Sequence, residues 1–74
     1  MLRKHSVSIQ GHQTSFSLED EFWVELKRIA KIRGIAVAKL ITEIDEKRDA
    51  QQNLSSALRV YVLDQALSTL HTNA

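Results

Sequence analysis

The run Thr14-Ser15-Phe16-Ser17-Leu18-Glu19-Asp20-Glu21-Phe22 changes its period partway through. Up to Leu18 it alternates at period two, with Phe16 and Leu18 on one face and Ser15 and Ser17 on the other. That is the pattern of a half-buried strand. From Phe22 the apolar positions recur at helical spacing: Phe22, Leu26, Ile29 and Ala30 share a face, with Trp23 at its edge. Between the two regimes, Ser17-Leu18-Glu19-Asp20 has capping-box spacing, with a shorter acid than usual at its last position. Glu19, Asp20 and Glu21 place negative charge against the positive end of the helix dipole. Lys31 and Arg33 fall in the last turn and Gly34 supplies a left-handed stop. The spacing predicts a strand passing directly into a helix at 19–33.

Upstream, Ser6-Val7-Ser8-Ile9 also alternates, and Gly11-His12 separates it from the strand. A two-residue Gly-X pair between alternating runs is a hairpin signal of type II′. In that register Val7 lies opposite Phe16 and Ile9 opposite Thr14, with Ser6 and Ser8 opposite Ser17 and Ser15. A single long strand with a glycine bulge is the rival reading of this extended region, 5–18. Downstream, Val37, Leu40, Ile41 and Ile44 predict a second helix at 36–48. Its far end, from Asp45 to Gln52, is polar throughout and reads as exposed helix or linker. Asn53 is an N-cap for a third helix at 54–70. Leu54, Leu58, Tyr61, Val62 and Ala66 line one side of it; Val60, Leu63, Leu67 and Leu70 line another. A helix apolar on two sides needs two covers, and the second is expected from another subunit.

With 74 residues the chain fits one domain, 1–74, and a core this small often depends on oligomerisation. The sequence has no cysteine, which excludes a disulfide scaffold, a thiolate zinc site and a cysteine nucleophile. Its longest apolar run is four residues, too short to span a membrane, and the opening residues lack the apolar segment of a signal peptide. A cytoplasmic location is expected. The formal net charge is +1, but basic and acidic blocks alternate: residues 26–42 carry Lys27, Arg28, Lys31, Arg33 and Lys39 and no acid. Such a block can form a phosphate-facing patch, but for charge alone a solvated helix face with ordinary ion pairing is the favoured reading.

A lone strand leaves a row of peptide groups unpaired, and a lone hairpin is marginal in water. The simplest closure is the same strand from a second chain, antiparallel about a twofold axis. Phe16 and Leu18 then cover a shared helical core, and Ser15 and Ser17 form an outward polar ridge. A two-stranded ribbon has the width of the DNA major groove, about 12 Å, and its hydroxyls can meet base edges.

From Thr14 to Ile44, the order Thr-Ser-Phe-Ser-Leu-Glu, helix, Gly34, helix resembles the ribbon-helix-helix DNA-binding proteins of the Arc, MetJ and CopG type. The start, Arg3-Lys4-His5-Ser6-Val7, and the later Asn53-Leu54-Ser55-Ser56-Ala57-Leu58-Arg59-Val60 are similar to a subgroup of short ribbon-helix-helix domain proteins. The resemblance implies a mostly α fold with an N-terminal β-ribbon, a dimer, and here an additional C-terminal helix. It implies base contacts from three alternate outward residues, which fall on Gln13, Ser15 and Ser17; Gln13 suits a bidentate contact to adenine. It also implies a phosphate at the N-terminus of the second helix, on the amides of Ala36, Val37 and Ala38, with Lys39 adding charge. This chain departs from the family there, since Ile35-Ala36-Val37-Ala38 has no Ser or Thr cap. Ser17 is also divided between base reading and helix capping. If the hairpin forms, a dimer sheet of four strands spans about 14 Å before side chains and does not lie flat in the groove. Either the first strand peels off as an arm, with Arg3 and Lys4 on phosphates, or the groove reading is wrong; the arm is the expectation.

Other constellations are weaker. His5, His12 and His71 have no metal-site spacing and read as solvent-exposed; no cofactor is expected. No frame joins Ser, His and Asp for catalysis. Trp23 and Tyr61 suit core or interface positions rather than base stacking. Arg59, in a mostly apolar helix, suits a pair with Asp64 or with an acid of a partner chain, or marks a protein-binding surface. The expected function is a sequence-specific transcriptional regulator, a repressor, acting on double-stranded DNA as a homodimer, with the third helix extending the interface or building higher oligomers. The alternative is a dimeric adaptor or antitoxin whose C-terminal helix binds a protein.

Overall fold

The computed structural model describes residues 1–72, with side chains through Thr69. Its elements are β1 (Leu2–Ile9), β2 (His12–Glu19), α1 (Asp20–Arg33), α2 (Val37–Lys47) and α3 (Leu54–Thr72). β1 and β2 form one antiparallel two-stranded ribbon. The first strand is therefore no free arm: it pairs with β2 along its whole length, from Leu2↔Glu19 to Ile9↔His12.

The turn lies one residue earlier than Gly11-His12. Gln10 and Gly11 both take positive φ, 51° and 82°, which is a type I′ turn, the turn whose twist matches that of the flanking strands. The register moves by two as a result, to Val7↔Thr14, His5↔Phe16 and Ser6↔Ser15. An even shift leaves every side chain on its expected face. It also lengthens the ladder, which ends with the Asp20 amide donating to the Met1 carbonyl at 3.0 Å.

That last bond changes how α1 begins. The N-cap is Glu19, in extended backbone and without a side-chain capping bond. Ser17 is a strand residue and not the cap of a capping box, because β1 carries the strand two residues further and serves the first helical amide from its own backbone. Asp20 and Glu21 still lie in the first turn. At the other end Gly34 is left-handed, φ 73°, as expected. Its amide and that of Ile35 return to Lys31 and Ala30, closing a Schellman turn.

α2 is one residue shorter at each end than predicted. The polar run after it is an ordered turn rather than helix: Arg48 donates to the Asp45 carboxylate and to the Gln52 carbonyl, both at 2.7 Å. Asn53 caps α3, its Oδ1 accepting from the Ser56 amide at 2.8 Å.

The inner face of the ribbon (Val7, Ile9, Phe16, Leu18) closes over Leu26, Ile29 and Ala30 of α1, Leu40, Ile41 and Ile44 of α2, and Leu54, Ala57, Leu58 and Val62 of α3. The first apolar side of α3 is thus buried within the chain, with Tyr61 at its edge and Ala66 exposed. The second side, Val60, Leu63 and Leu67, stays exposed; the side chain of Leu70 lies outside the described residues. No helix among the described residues is long and apolar enough to cross a membrane.

Leu58 is fully buried and Leu63 is 54% exposed. Leu58→Ala should cost about 2–5 kcal/mol of unfolding free energy, and Leu63→Ala in dilute chain under about 0.5 kcal/mol. Urea titration of both variants checks this; equal losses would mean that α3 does not dock by the first face.

Candidate nucleic-acid interface

Strand alternation turns one set of side chains away from the core. On β2 these are Gln13, Ser15 and Ser17; on β1 they are Ser8, Ser6 and Lys4, which lie opposite them in that order. Gln13, Ser15, Ser6, Ser8 and Lys4 are exposed, and Ser17 is half-buried. Ser6 and Ser15 hydroxyls meet at 3.4 Å. The result is a flat strip of hydroxyl and amide groups with one cation, able to donate and accept hydrogen bonds. Two of the three expected reading residues are therefore fully presented. The third is drawn toward α3, where the Ser17 amide donates to Ser55 Oγ at 3.2 Å.

The expected phosphate contacts divide. Ala36 caps α2 in extended backbone without a side-chain bond. Among the described residues no acceptor meets the amides of Ala36, Val37 and Ala38, whereas those of Lys39 and Leu40 return to the Ala36 carbonyl. Three donors thus point off the positive end of the dipole. Lys39 is exposed beside them. Lys4 stands on the outer face of the ribbon. Arg3 does not: it alternates to the other side and its Nε pairs with Asp20 at 2.9 Å.

A general division lies behind this. All five arginines pair with a carboxylate: Arg3 with Asp20, Arg28 with Glu25, Arg33 with Glu43, Arg48 with Asp45 and Arg59 with Glu19. Among the described residues none of the five lysines does. Lys27 lies 5.9 Å over the Trp23 ring; the others carry unneutralised charge. The arginine pairs shift their groups as expected. Hydrogen bonding to Arg28 and to Arg59 holds the Glu25 and Glu19 carboxyls below the ordinary glutamate value, and Arg28 and Arg33 are raised by Glu25 and Glu43.

Two residues stand elsewhere than expected. Arg59 pairs with Glu19, through Nε at 2.8 Å and Nη2 at 3.3 Å, rather than with Asp64. It ties α3 to the junction of β2 and α1. His5 is half-buried rather than solvent-exposed. It stacks on Trp23 at 4.1 Å and on Phe16 at 5.4 Å, and its buried Nε2 has no hydrogen-bond partner among the described residues. Period two already places His5 with Val7 and Ile9, so this was readable. Ser55 carried no signal in the sequence, since its partner lies 38 residues away. The described residues contain no group of three or more His, Cys, Asp or Glu that could hold a metal.

A strand with a hydrogen-bonding outer face, leading into two helices joined by a glycine stop, is the element order of a ribbon-helix-helix domain, here with the added strand β1 and helix α3. The chain belongs to that family: the ribbon-helix-helix domain model matches residues 2–66, from the first strand well into α3. Proteins of this family are in general DNA-binding transcription regulators or antitoxins, they form dimers, and they are not enzymes. No curated protein and no solved structure matches the chain.

The Glu19 carboxyl should titrate below the ordinary glutamate range, so that the stabilisation from its pair with Arg59 is complete above the unfolded value and disappears as pH falls through the folded one. In Arg59→Gln the midpoint should move back up. NMR titration of the Glu19 side chain reads this directly, and an unmoved midpoint would remove Arg59 as its cause.

Proposed function

We propose that this protein is a cytoplasmic, sequence-specific DNA-binding regulator that acts as a repressor, in which the β2 strands of two copies form the centre of the reading surface. The observation that carries the reading is the outer face of the ribbon, where every residue from Lys4 to Ser8 and from Gln13 to Ser17 that points away from the core is a hydrogen-bonding or cationic one.

In this reading Gln13 and Ser15 meet base edges, with Gln13 suited to adenine, and Ser17 lies at the margin beside α3. The amides of Ala36, Val37 and Ala38 take a phosphate, supported by Lys39. Because β1 is paired and not an arm, a dimer sheet has four strands and is about 14 Å wide before side chains, against a groove of about 12 Å. The two β2 strands therefore enter, and the β1 strands ride at the rims with Lys4 toward the phosphates. Arg3 reaches a phosphate only by exchanging its Asp20 partner.

A second reading has its own observation. Val60, Leu63 and Leu67 leave an apolar stripe on α3, and beside it Phe22, Val62 and Ala66 help line a groove of about 320 Å³. Such a surface suits a protein partner, as in an antitoxin, or further assembly of dimers.

Fluorescence anisotropy against DNA fragments selected from a random pool tests the first reading. Affinity should fall steeply with salt. Gln13→Ala should relax sequence preference, while Lys39→Ala should weaken all sequences alike and reduce the salt slope by about 1. Absence of binding at low salt would leave the adaptor reading in its place.

A further inference from the structure

The peptide groups of β2 point alternately to its two edges. The Asp20 amide bonds the Met1 carbonyl, so residues 12, 14, 16, 18 and 20 face β1. Residues 13, 15 and 17 face the other edge, and the Ser17 amide is indeed found there, on Ser55 Oγ. Among the described residues nothing hydrogen-bonds the amides of Gln13 or Ser15. The edge thus offers two open peptide units, and α3 closes the third. Behind Ser55, the Arg59–Glu19 pair pins the same end of α3 to the end of β2.

A second copy adding its β2 antiparallel must align 13, 15 and 17 with the same set, or the polar faces would point oppositely. The twofold axis then passes through a residue. Through Ser15, Gln13 of one copy bonds Ser17 of the other, which needs the amide that Ser55 already holds. Through Gln13, only one pair forms and Ser15 faces the turn of the second copy. Through Thr14, Gln13 of each copy pairs with Ser15 of the other, both open units are used, and Ser17 keeps Ser55. Gly11 of the second copy then lies opposite Ser17, where it brings no side chain.

We infer that Ser55 is a positioning residue that sets the register of the intersubunit ribbon, with the twofold axis at Thr14. This rests on the proposed β2-paired dimer. Its consequence is that Gln13 stands beside Ser15 of the second copy on the reading face, and Ser17 is excluded from the centre.

The absence of cysteine makes the register directly measurable. Gln13→Cys and Ser15→Cys are at exposed positions and are oxidised in a glutathione redox buffer, singly and as an equal mixture, then run on a non-reducing gel. Directly opposite residues fall within disulfide reach, and residues two apart along the ladder do not. Disulfide-linked dimer is expected in the mixture and lost in either variant alone. Cross-linking of Ser15→Cys alone, or of Gln13→Cys alone, would move the axis and overturn the inference. Adding Ser55→Ala should free the Ser17 amide, so that Ser15→Cys begins to cross-link by itself; an unchanged pattern overturns the assignment to Ser55. The oxidations are run with and without the selected duplex, and sedimentation of the cysteine-free chain under the same two conditions separates the two levels: a monomer in both defeats the dimer reading itself, whereas a dimer with the wrong cross-links defeats only the register.

Discussion

The pairing of β1 with β2 is the constraint on which the other parts depend. It fixes which faces of the two strands look inward, and Val7, Ile9, Phe16 and Leu18 then roof the three helices. It supplies the carbonyl that receives the first amide of α1. It also exhausts one edge of β2 and leaves the other. In a ribbon made from one strand per chain, a second chain is needed to cover apolar side chains. Here α3 and β1 cover the inner face of the ribbon within the chain, and what remains for a second copy is a short run of backbone donors and acceptors and the exposed stripe of α3.

The ion pairs show how a small domain holds its joints. Arg3–Asp20 joins β1 to α1, Arg33–Glu43 joins α1 to α2, and Arg59–Glu19 joins α3 to the strand–helix junction. Arg48 organises the turn before α3 through Asp45 and the Gln52 carbonyl. Each pair is partly exposed and contributes little stability alone. Their planar, forked donors instead fix orientation. Lysine, a flexible point charge, is left for what lies outside the fold. The basic block at 26–42 is therefore two populations: Arg28 and Arg33 belong to the scaffold, while Lys31 and Lys39 have no carboxylate partner among the described residues.

What could be read from the sequence was whatever a local pattern fixes. The change from period two to helical spacing at Leu18–Phe22, the left-handed Gly34, the Asn53 cap and the core faces of α1 and α2 follow from neighbours within a turn or two. The turn was misplaced because glycine serves the first position of type II′ and the second position of type I′ equally, and only the full ladder back to Met1 separates them. Ser17 was misread as a cap for the same reason: whether it ends a strand or starts a helix depends on β1. The partners of Arg59 and Ser55 lie about 40 residues away in sequence, and nothing in a linear pattern selects them. Of the candidate site, the outward residues were legible by alternation, and the closure of the edge at Ser17 was not.

The energetics of the proposed dimer argue that assembly and DNA binding are coupled. With the axis at Thr14, the β2 edges exchange two pairs of backbone hydrogen bonds, each bond worth about 0.5–1.5 kcal/mol net. Bringing two chains together costs about 4–15 kcal/mol in lost freedom at the standard state. The open edge alone therefore gives a weak dimer. Two further surfaces are free to add to it: the stripe of Val60, Leu63 and Leu67, and the lysines without carboxylate partners. In the proposed complex the lysines act when phosphates are present, and a duplex that engages both copies would raise the effective concentration of each for the other. A domain that closes its own core and pairs through so short an edge is thereby suited to assemble on its target, with the register at Thr14 setting which side chains arrive at the bases together.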